Sequence, residues 1–475
     1  MSAPKLRVLE VVRRERPVTL RMPFRFGVVT LRAAPQAFVR VRVRMEDGRE
    51  SWGRAAEMIV PKWFDKDPVL SNDDNLDQLR AAVAVYAEAI RANGAATAFG
   101  HYAQLHRPHI DACARQGLNP LVAGFGPALV DRAVLDALCR ADGMSIAAAL
   151  GANRAGMAPD QLLPEFRGFD FDAFLASLTP LDAVHARHTV GLTDPLTAAD
   201  VAPGAAVGDG LPETLEEVAS VYGHAYYKIK VGADRAADLD RLEAIAAVLD
   251  RRAEPYHVTL DGNEQYDDID GIVALVDAMQ GRDALARFNR SILFVEQPIR
   301  RAEALERDVD ALARTLPVII DESDADLYAF ARARARGYAG VSSKSCKGFY
   351  KSLINLARCR MWNAEADGAR FFLSAEDLTC QAGIDVQQDL ALVALLGIGH
   401  VERNGHHYVA GMAGASDAEQ ARFLAAHPDL YHRVGGRVTL KIADGRLAVG
   451  SLQSTGYGGD VEPDWDNMDE MKTAA

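Results

Sequence analysis

From about Phe174 onward the sequence alternates between short β-rich runs and amphipathic stretches, and this alternation constrains the fold more than any other feature. The β-rich runs are AVHARHTVGL, AYYKIKV, YHVTLDGN, ILFVEQP, PVIIDES, AGVSSKS, RFFLSAED and GIGHVERN. Between them lie LPETLEEVASVYG, ADLDRLEAIAAVLDRR, IDGIVALVDAMQ, AEALERDVDALART, ADLYAFARARARG, KSLINLARCRMWN and AGIDVQQDLALVALLG, whose apolar residues recur at helical spacing. Parallel neighbours need crossover connections, and closing the sheet leaves no edge unpaired. Eight such units therefore predict an α/β fold, a closed (β/α)8 barrel of the TIM type.

The flanks have a different texture. Residues 1 to about 70 read as strands: LRVLEVV, FRFGVVTL, then QAFVRVRVRMEDGRESWGRAAE, a hairpin about its EDG turn with arginines on the solvated face. From Asn75 to about Leu150 the pattern is helical, so residues 1–150 form an α+β module. Residues 151–435 hold the barrel, interrupted after its first strand by the Ala/Gly/Pro-rich segment 194–210, which reads as a flexible surface insertion or a lid. Residues 436–475 return to hairpin texture around ADGR and are expected to pack back on the first module.

Composition narrows the function classes. Lys and Arg number 53 against 66 Asp and Glu, a net charge of −13, which argues against a chain dominated by nucleic-acid or anionic-membrane contacts. Five cysteines without a CxxC pair suit free, buried thiols in a reducing compartment. The start lacks a secretory apolar stretch and no uncharged run could span a bilayer, so a cytoplasmic protein is expected.

In a barrel of this kind chemistry sits where the strands end. The second run ends in Lys228 and Lys230, the third in Asp261 with Asn263, the fourth in Glu296, the fifth in Asp321 and Glu322, and the sixth in Lys344. Taken singly each has an ordinary reading, as a helix N-cap or a solvated lysine. Five consecutive strands ending lysine, acid, acid, acid, lysine imply one pocket. Three convergent carboxylates repel unless a cation lies among them, and all-oxygen ligation selects a hard divalent ion, Mg2+. Mg2+ on a substrate carboxylate stabilises the enediolate left when the adjacent carbon loses a proton, and a lysine supplies the base. Lys228 is expected to depress the pKa of Lys230, while Lys230 and Lys344 face each other from opposite walls.

The motifs YYKIKVG, LDGN, FVEQP, IIDES and SSKSCKG, in this order and spacing, resemble the enolase superfamily, specifically its mandelate racemase/muconate lactonizing enzyme group. The resemblance implies a capping domain over residues 1–150, completed by ADGRLAVGSLQSTGYGG. It implies Asp261, Glu296 and Asp321 as metal ligands, Lys230 and Lys344 as the acid/base pair, and Asn263 and Glu322 as supports. Lysines on both walls are similar to the muconate lactonizing branch, whereas the mandelate racemase branch pairs an aspartate on strand six with a histidine on strand seven. Here the seventh run carries Glu376 and Asp377 instead. Lys347 lies close to Lys344 in sequence, and the segment EMIVPKWFDKDP is enlarged where the family places a specificity loop.

By the same analogy the loops MPFRF and EMIVPKWF close the barrel mouth, nominating Phe24, Arg25, Lys62 and Trp63 as substrate contacts, with Trp63 equally readable as cap core. Glu376, Glu402, His400 and His406 are further candidates near the last strands. His101, His106 and His109 read as surface or interface residues. The expected activity is Mg2+-dependent proton abstraction beside the carboxylate of a small molecule, with racemisation or epimerisation favoured because opposed lysines suit it. A lyase, dehydratase or cycloisomerase would use the same enediolate, and a non-catalytic metal-barrel binding protein is the alternative of another class. The family expectation is a homo-oligomer.

Overall fold

The computed structural model describes residues 3–26, 29–366 and 368–472. The N-terminal module is built on an antiparallel sheet of β1 (Leu6–Phe26), β2 (Val29–Met45) and β3 (Glu50–Met58). Val41 and Val43 are fully buried, while Arg40, Arg42 and Arg44 take the opposite face. That face is not a free basic surface, since the Arg40 guanidinium stacks over Trp52 at 4.4 Å and Trp465 at 5.1 Å. Gly48, at φ +90°, makes the turn between β2 and β3. FRFGVVTL is not one strand: Phe26 pairs with Val29, so the run straddles the junction of β1 and β2, and Gly27 and Val28 lie outside the described residues.

Three helices cover this sheet: α1 (Asn72–Ala92), α2 (Ala98–Ala114) and α3 (Pro120–Asp142). Ser71 and Asp74 form a capping box that starts α1, and Gly143 in the left-handed region stops α3. Helix α3 is buried on almost every side because it is wedged between the sheet and the barrel. Its approach to β3 depends on Gly53, where a Cβ would overlap the backbone of Ala133 and Ala137.

All eight expected runs form barrel strands: β4 (Ala183–Val190), β5 (Tyr226–Lys230), β6 (His257–Asp261), β7 (Ile292–Glu296), β8 (Val318–Ile320), β9 (Gly340–Ser343), β10 (Phe372–Ala375) and β11 (His400–Arg403). They are parallel neighbours in sequence order, and β11 pairs with β4 to close the ring. AEALERDVDALART gives two short helices, Arg301–Ala304 and Asp310–Ala313, because Val309 turns its N–H to the Arg336 carbonyl at 2.9 Å. The insertion is anchored rather than loose at its ends. Arg21 pairs with Asp209 at 2.7 Å and donates to the carbonyls of Leu211 and Pro212, while Arg241 holds those of Gly191 and Asp194.

The tail departs from its expected course. β12 (Tyr431–Val434) and β13 (Arg437–Leu440) form a hairpin about Gly435 and Gly436, and ADGR makes a second tight turn. The strand that follows, β14 (Arg446–Ala448), lies antiparallel on β4 of the barrel, not on the N-terminal module. The expected contact with that module begins later, where Gly456 N donates to the Met144 carbonyl at 3.0 Å and Tyr457 N to Asp136 at 2.7 Å, and β15 (Asp469–Glu470) joins β1. The five cysteines are free and buried. No helix among the described residues is long and apolar enough to cross a membrane.

Replacing Gly53 by Ala should destabilise the protein by about 2–3 kcal/mol, since neither backbone can yield to the added methyl. Chemical denaturation should show a lower midpoint with an unchanged slope. A midpoint equal to that of the wild type would mean that α3 does not sit hard on β3.

Candidate active site

Register brings the charged strand ends level: Lys230 pairs with Asp261 across β5 and β6, and Asp261 with Glu296 across β6 and β7. Lys228, one pleat deeper, is 1% exposed. Its ammonium stands among four carboxylates, 2.9 Å from Glu296 Oε1, 2.7 Å from Glu376 Oε2, 2.9 Å from Glu402 Oε2 and 3.0 Å from Asp261 Oδ2. Burial alone would push this ammonium toward its neutral form, but the surrounding acids outweigh it and hold the pKa well above the ordinary lysine value. Lys228 is therefore not the bare positive neighbour of Lys230 that the sequence suggested. Its charge is absorbed by the cage, and it does not line the cavity above.

The cage needs a second cation because it has more acids than one lysine can balance. Arg187, on the inner face of β4 and fully buried, pairs with Glu376. Burial raises the Glu376 pKa against the pull of Arg187 and Lys228. Glu402 is held well below the ordinary range, since Lys228 and Lys230 outweigh its burial. Thr189, also inward on β4, donates to Glu402 Oε1 at 2.7 Å.

The opposite wall is organised around Asp321, which accepts from Lys344 at 2.8 Å and from Ser342. Burial opposes its charge, and Lys344 and Lys347 overcome that, so its pKa lies far below the ordinary range. Lys344 and Lys347 separate by environment. Lys344 lines the cavity, whereas Lys347 points beneath, to Ser342 at 2.7 Å and Asp324 at 3.3 Å. Burial would lower the Lys344 pKa, but Asp321 raises it above the ordinary value.

Lys230 and Lys344 meet in one small cavity of about 30 Å³, walled by Phe24, Phe26, Val60, Trp63, Asn404 and Glu402. Strands two and six of eight stand across the barrel from one another, which places these two lysines on opposed walls. The Trp63 ring covers Lys344, with Nζ 4.4 Å from its centroid, and Phe24 stacks on Tyr408 at 4.2 Å. Trp63 is thus buried in the lid over the mouth. Two nominated contacts face elsewhere. Arg25 alternates out to solvent between Phe24 and Phe26, and Lys62 ties its own loop by donating to the Asp67 and Leu70 carbonyls.

Lys66, missed in the sequence, reaches the barrel behind the cavity instead, 2.5 Å from Glu264 and 3.5 Å from Glu322. Arg301 fixes the same loop by donating to the carbonyls of Trp63 at 2.9 Å and Phe64 at 3.0 Å while pairing with Glu264 at 2.7 Å. Asn263 supports the floor: its N–H reaches Asp261 Oδ1 at 2.9 Å and its amide reaches Glu322 at 3.4 Å. Asp377, at the end of the seventh run, also lines the cavity, as do Asn404 and Thr379, which nothing in their local sequence marks out.

The histidines sort by their place in the fold. His400 faces the barrel floor beside Arg187 and Tyr226, and His406 lies outside the ring, so of the eighth-strand candidates only Glu402 reaches the cavity. His101 and His109 are not at the surface. Each is buried with a ring nitrogen on a backbone carbonyl, of Leu6 at 3.0 Å and of Ala123 at 2.8 Å, and so ties the N-terminal module together.

Asp261, Glu296 and Asp321 present hard oxygens of the kind that hold Mg2+, and one buried oxygen of Glu296 lacks a hydrogen bond although the Lys228 ammonium stands 2.8 Å away. Among the described residues these three do not form a cluster with oxygens all within 4.8 Å of one another; Lys228 bridges Asp261 and Glu296, while Lys230 holds Asp261 and Lys344 holds Asp321. The donor chemistry fits a divalent cation, provided Lys230 and Lys344 give up Asp261 and Asp321 to it.

No family model matches the chain and no curated protein matches it. Solved structures do. An L-Ala-D/L-Glu epimerase of Bacillus subtilis, in a substrate complex, superposes with a TM-score of 0.56 at 16% identity, over 96% of this chain and 99% of that one. An enolase from Bradyrhizobium, complexed with magnesium and mandelic acid, gives 0.58 at 15% identity over 98% and 97%. A mandelate racemase/muconate lactonizing protein of Herpetosiphon aurantiacus gives 0.56 at 18% over 96% and 99%. The chain has the fold of the enolase superfamily: a closed parallel barrel with an N-terminal antiparallel sheet domain.

Arg187→Met should leave Glu376 with only its share of Lys228 and cost about 3 kcal/mol. Adding Glu376→Gln should restore most of that loss, a coupling that denaturant titration of the single and double variants would measure. Additive losses would place the two residues in separate networks.

Proposed function

We propose that this protein is an enzyme that moves a proton at the carbon beside the carboxylate of a small molecule, between Lys230 on one face and Lys344 on the other, and that it racemises or epimerises that carbon. The observation that carries this reading is the pair of lysines opposed across one cavity, above a floor of carboxylates and under an aromatic lid. A divalent cation held by Asp261, Glu296 and Asp321, when bound, supplies positive charge for the negative charge that develops on the substrate carboxylate.

The side chains divide the remaining work. The lysine facing the substrate hydrogen must be neutral to accept it, and the one opposite must carry a proton to deliver. Asp321 now holds Lys344 charged, so loosening their contact is what would free this lysine to act as a base. Lys228 takes a positioning role: it holds Asp261, Glu296, Glu376 and Glu402 together against their mutual repulsion. Trp63 and Phe24 exclude water from the reacting centre, which sharpens every charge interaction inside. A cavity of about 30 Å³ is water-sized, so the loop carrying Trp63 must lift for a substrate to enter. The superfamily fold, and structural neighbours that include an epimerase and a magnesium complex, are consistent with this chemistry.

The test is solvent exchange. With Mg2+ present in deuterated solvent, a panel of chiral carboxylates should include one whose hydrogen beside the carboxylate exchanges as its stereoisomers interconvert. Lys344→Ala and Lys230→Ala should each lower interconversion by about 10²–10⁴-fold while leaving exchange of the one isomer that faces the surviving lysine. Full interconversion in both variants would exclude the mechanism. Exchange without interconversion in the wild type would instead point to elimination or cycloisomerisation, which product analysis would identify.

Cation dependence gives a second check. Asp261→Asn with Glu296→Gln should abolish the rise in melting temperature that Mg2+ gives the wild type, because an ion binding only the folded state stabilises it by mass action. An undiminished rise in the double variant would place the ion elsewhere.

A further inference from the structure

Outside the barrel ring, at the seam where β11 closes on β4, three buried histidines turn their rings toward one another. His188 projects outward from β4, since Arg187 and Thr189 on either side of it point in. His224 lies two residues before β5, and His406 lies in the short helix Gly405–Tyr408 that follows β11. Ring centroids are 5.5 Å apart for His188 and His224, 5.4 Å for His188 and His406, and 5.5 Å for His224 and His406. One nitrogen from each lies within 4.8 Å of the other two.

These nitrogens are without partners. Nδ1 of His188, Nε2 of His224 and both nitrogens of His406 are buried with no hydrogen bond, and the residues are 2%, 0% and 8% exposed. Buried polar atoms in a folded protein are nearly always satisfied, so three orphaned imidazoles in one place call for a shared partner. His224 is already oriented. Its Nδ1 lies 2.9 Å from the Ala186 carbonyl, which can only accept, so the proton is on Nδ1 and the lone pair on Nε2 faces the cluster. Burial also disfavours the imidazolium, pushing His224 down to about 4.

We infer that His188, His224 and His406 form a binding site for a borderline transition-metal ion, of which Zn2+ is the expected occupant. Neutral imidazole suits such ions, whereas the carboxylate floor of the barrel suits Mg2+. A tetrahedral ion with bonds of about 2.0–2.1 Å would set the nitrogens roughly 3.4 Å apart. The ligands come from the first strand, the entry to the second and the exit of the eighth, so the ion would staple the ring at its closure and serve a structural purpose. This site is independent of the proposed proton chemistry.

Co2+ reads the site directly. Protein stripped with chelator and then given excess Mg2+ to occupy the barrel mouth should bind one Co2+ per chain with the strong visible absorption of a tetrahedral nitrogen-ligated ion. Zn2+ should bleach that absorption and raise the melting temperature. His224→Gln and His406→Gln should each weaken Co2+ binding at least tenfold, while Asp261→Asn should leave the absorption unchanged. No tetrahedral absorption in the wild type, which needs no variant to be interpretable, would overturn the site, as would the same absorption in both histidine variants.

Discussion

The barrel is held together at its mouth by one ammonium group. Four carboxylates projecting from strands three, four, seven and eight cannot share a dry interior without a counter-charge, and Lys228 supplies it from strand two. Removing that cation would leave several acids facing one another at low dielectric, a cost that no packing of the surrounding Val and Leu residues could offset. The other features of the site follow from this constraint. Arg187 is needed because one lysine cannot balance four acids, and Lys230 and Lys344 are drawn to the outer carboxylates, Asp261 and Asp321, rather than left in water. The reactive groups are thus positioned by electrostatic necessity before any substrate arrives.

Much of this was legible in the sequence, for identifiable reasons. Strand ends in a barrel are topologically fixed, so Lys230, Asp261, Glu296, Asp321 and Lys344 could be assembled into one pocket from strand order alone. Side-chain direction was less accessible. Parity along MPFRF would have sent Arg25 away from the phenylalanines, yet which parity faced the barrel depended on a pairing the sequence does not display. Lys62 and Lys66 both sit in the same loop, and only the backbone's path, with Lys62 at φ +64°, decides that the first turns back on its own carbonyls while the second reaches the barrel.

Arg187 and the grouping of the three histidines were hidden for a related reason. In AVHARHTV the inner face carries His185, Arg187 and Thr189 while the outer face is Val184, Ala186, His188 and Val190, so the usual apolar-in, polar-out contrast is absent. An arginine at the buried parity of a barrel strand is itself a signal that acids lie opposite, and Glu376 and Glu402 were the acids available to it. The histidines come from segments as much as two hundred residues apart, which no local periodicity can bring together.

The pairing of β14 with β4 has a consequence for the order in which the molecule can be made. The lower part of β4 on the side facing β5 finds its partner in Arg446–Ala448, about 260 residues later, and β1 finds one of its partners in Asp469–Glu470. A chain emerging from the ribosome carries both strands with an unfilled flank until those distant segments have been synthesised. The entropy of closing so long a loop rises only as its logarithm, so the finished protein loses little stability by this arrangement. The growing chain bears the burden instead, as a period in which two sheets have an open edge and depend on whatever in the cell keeps them from pairing with another copy.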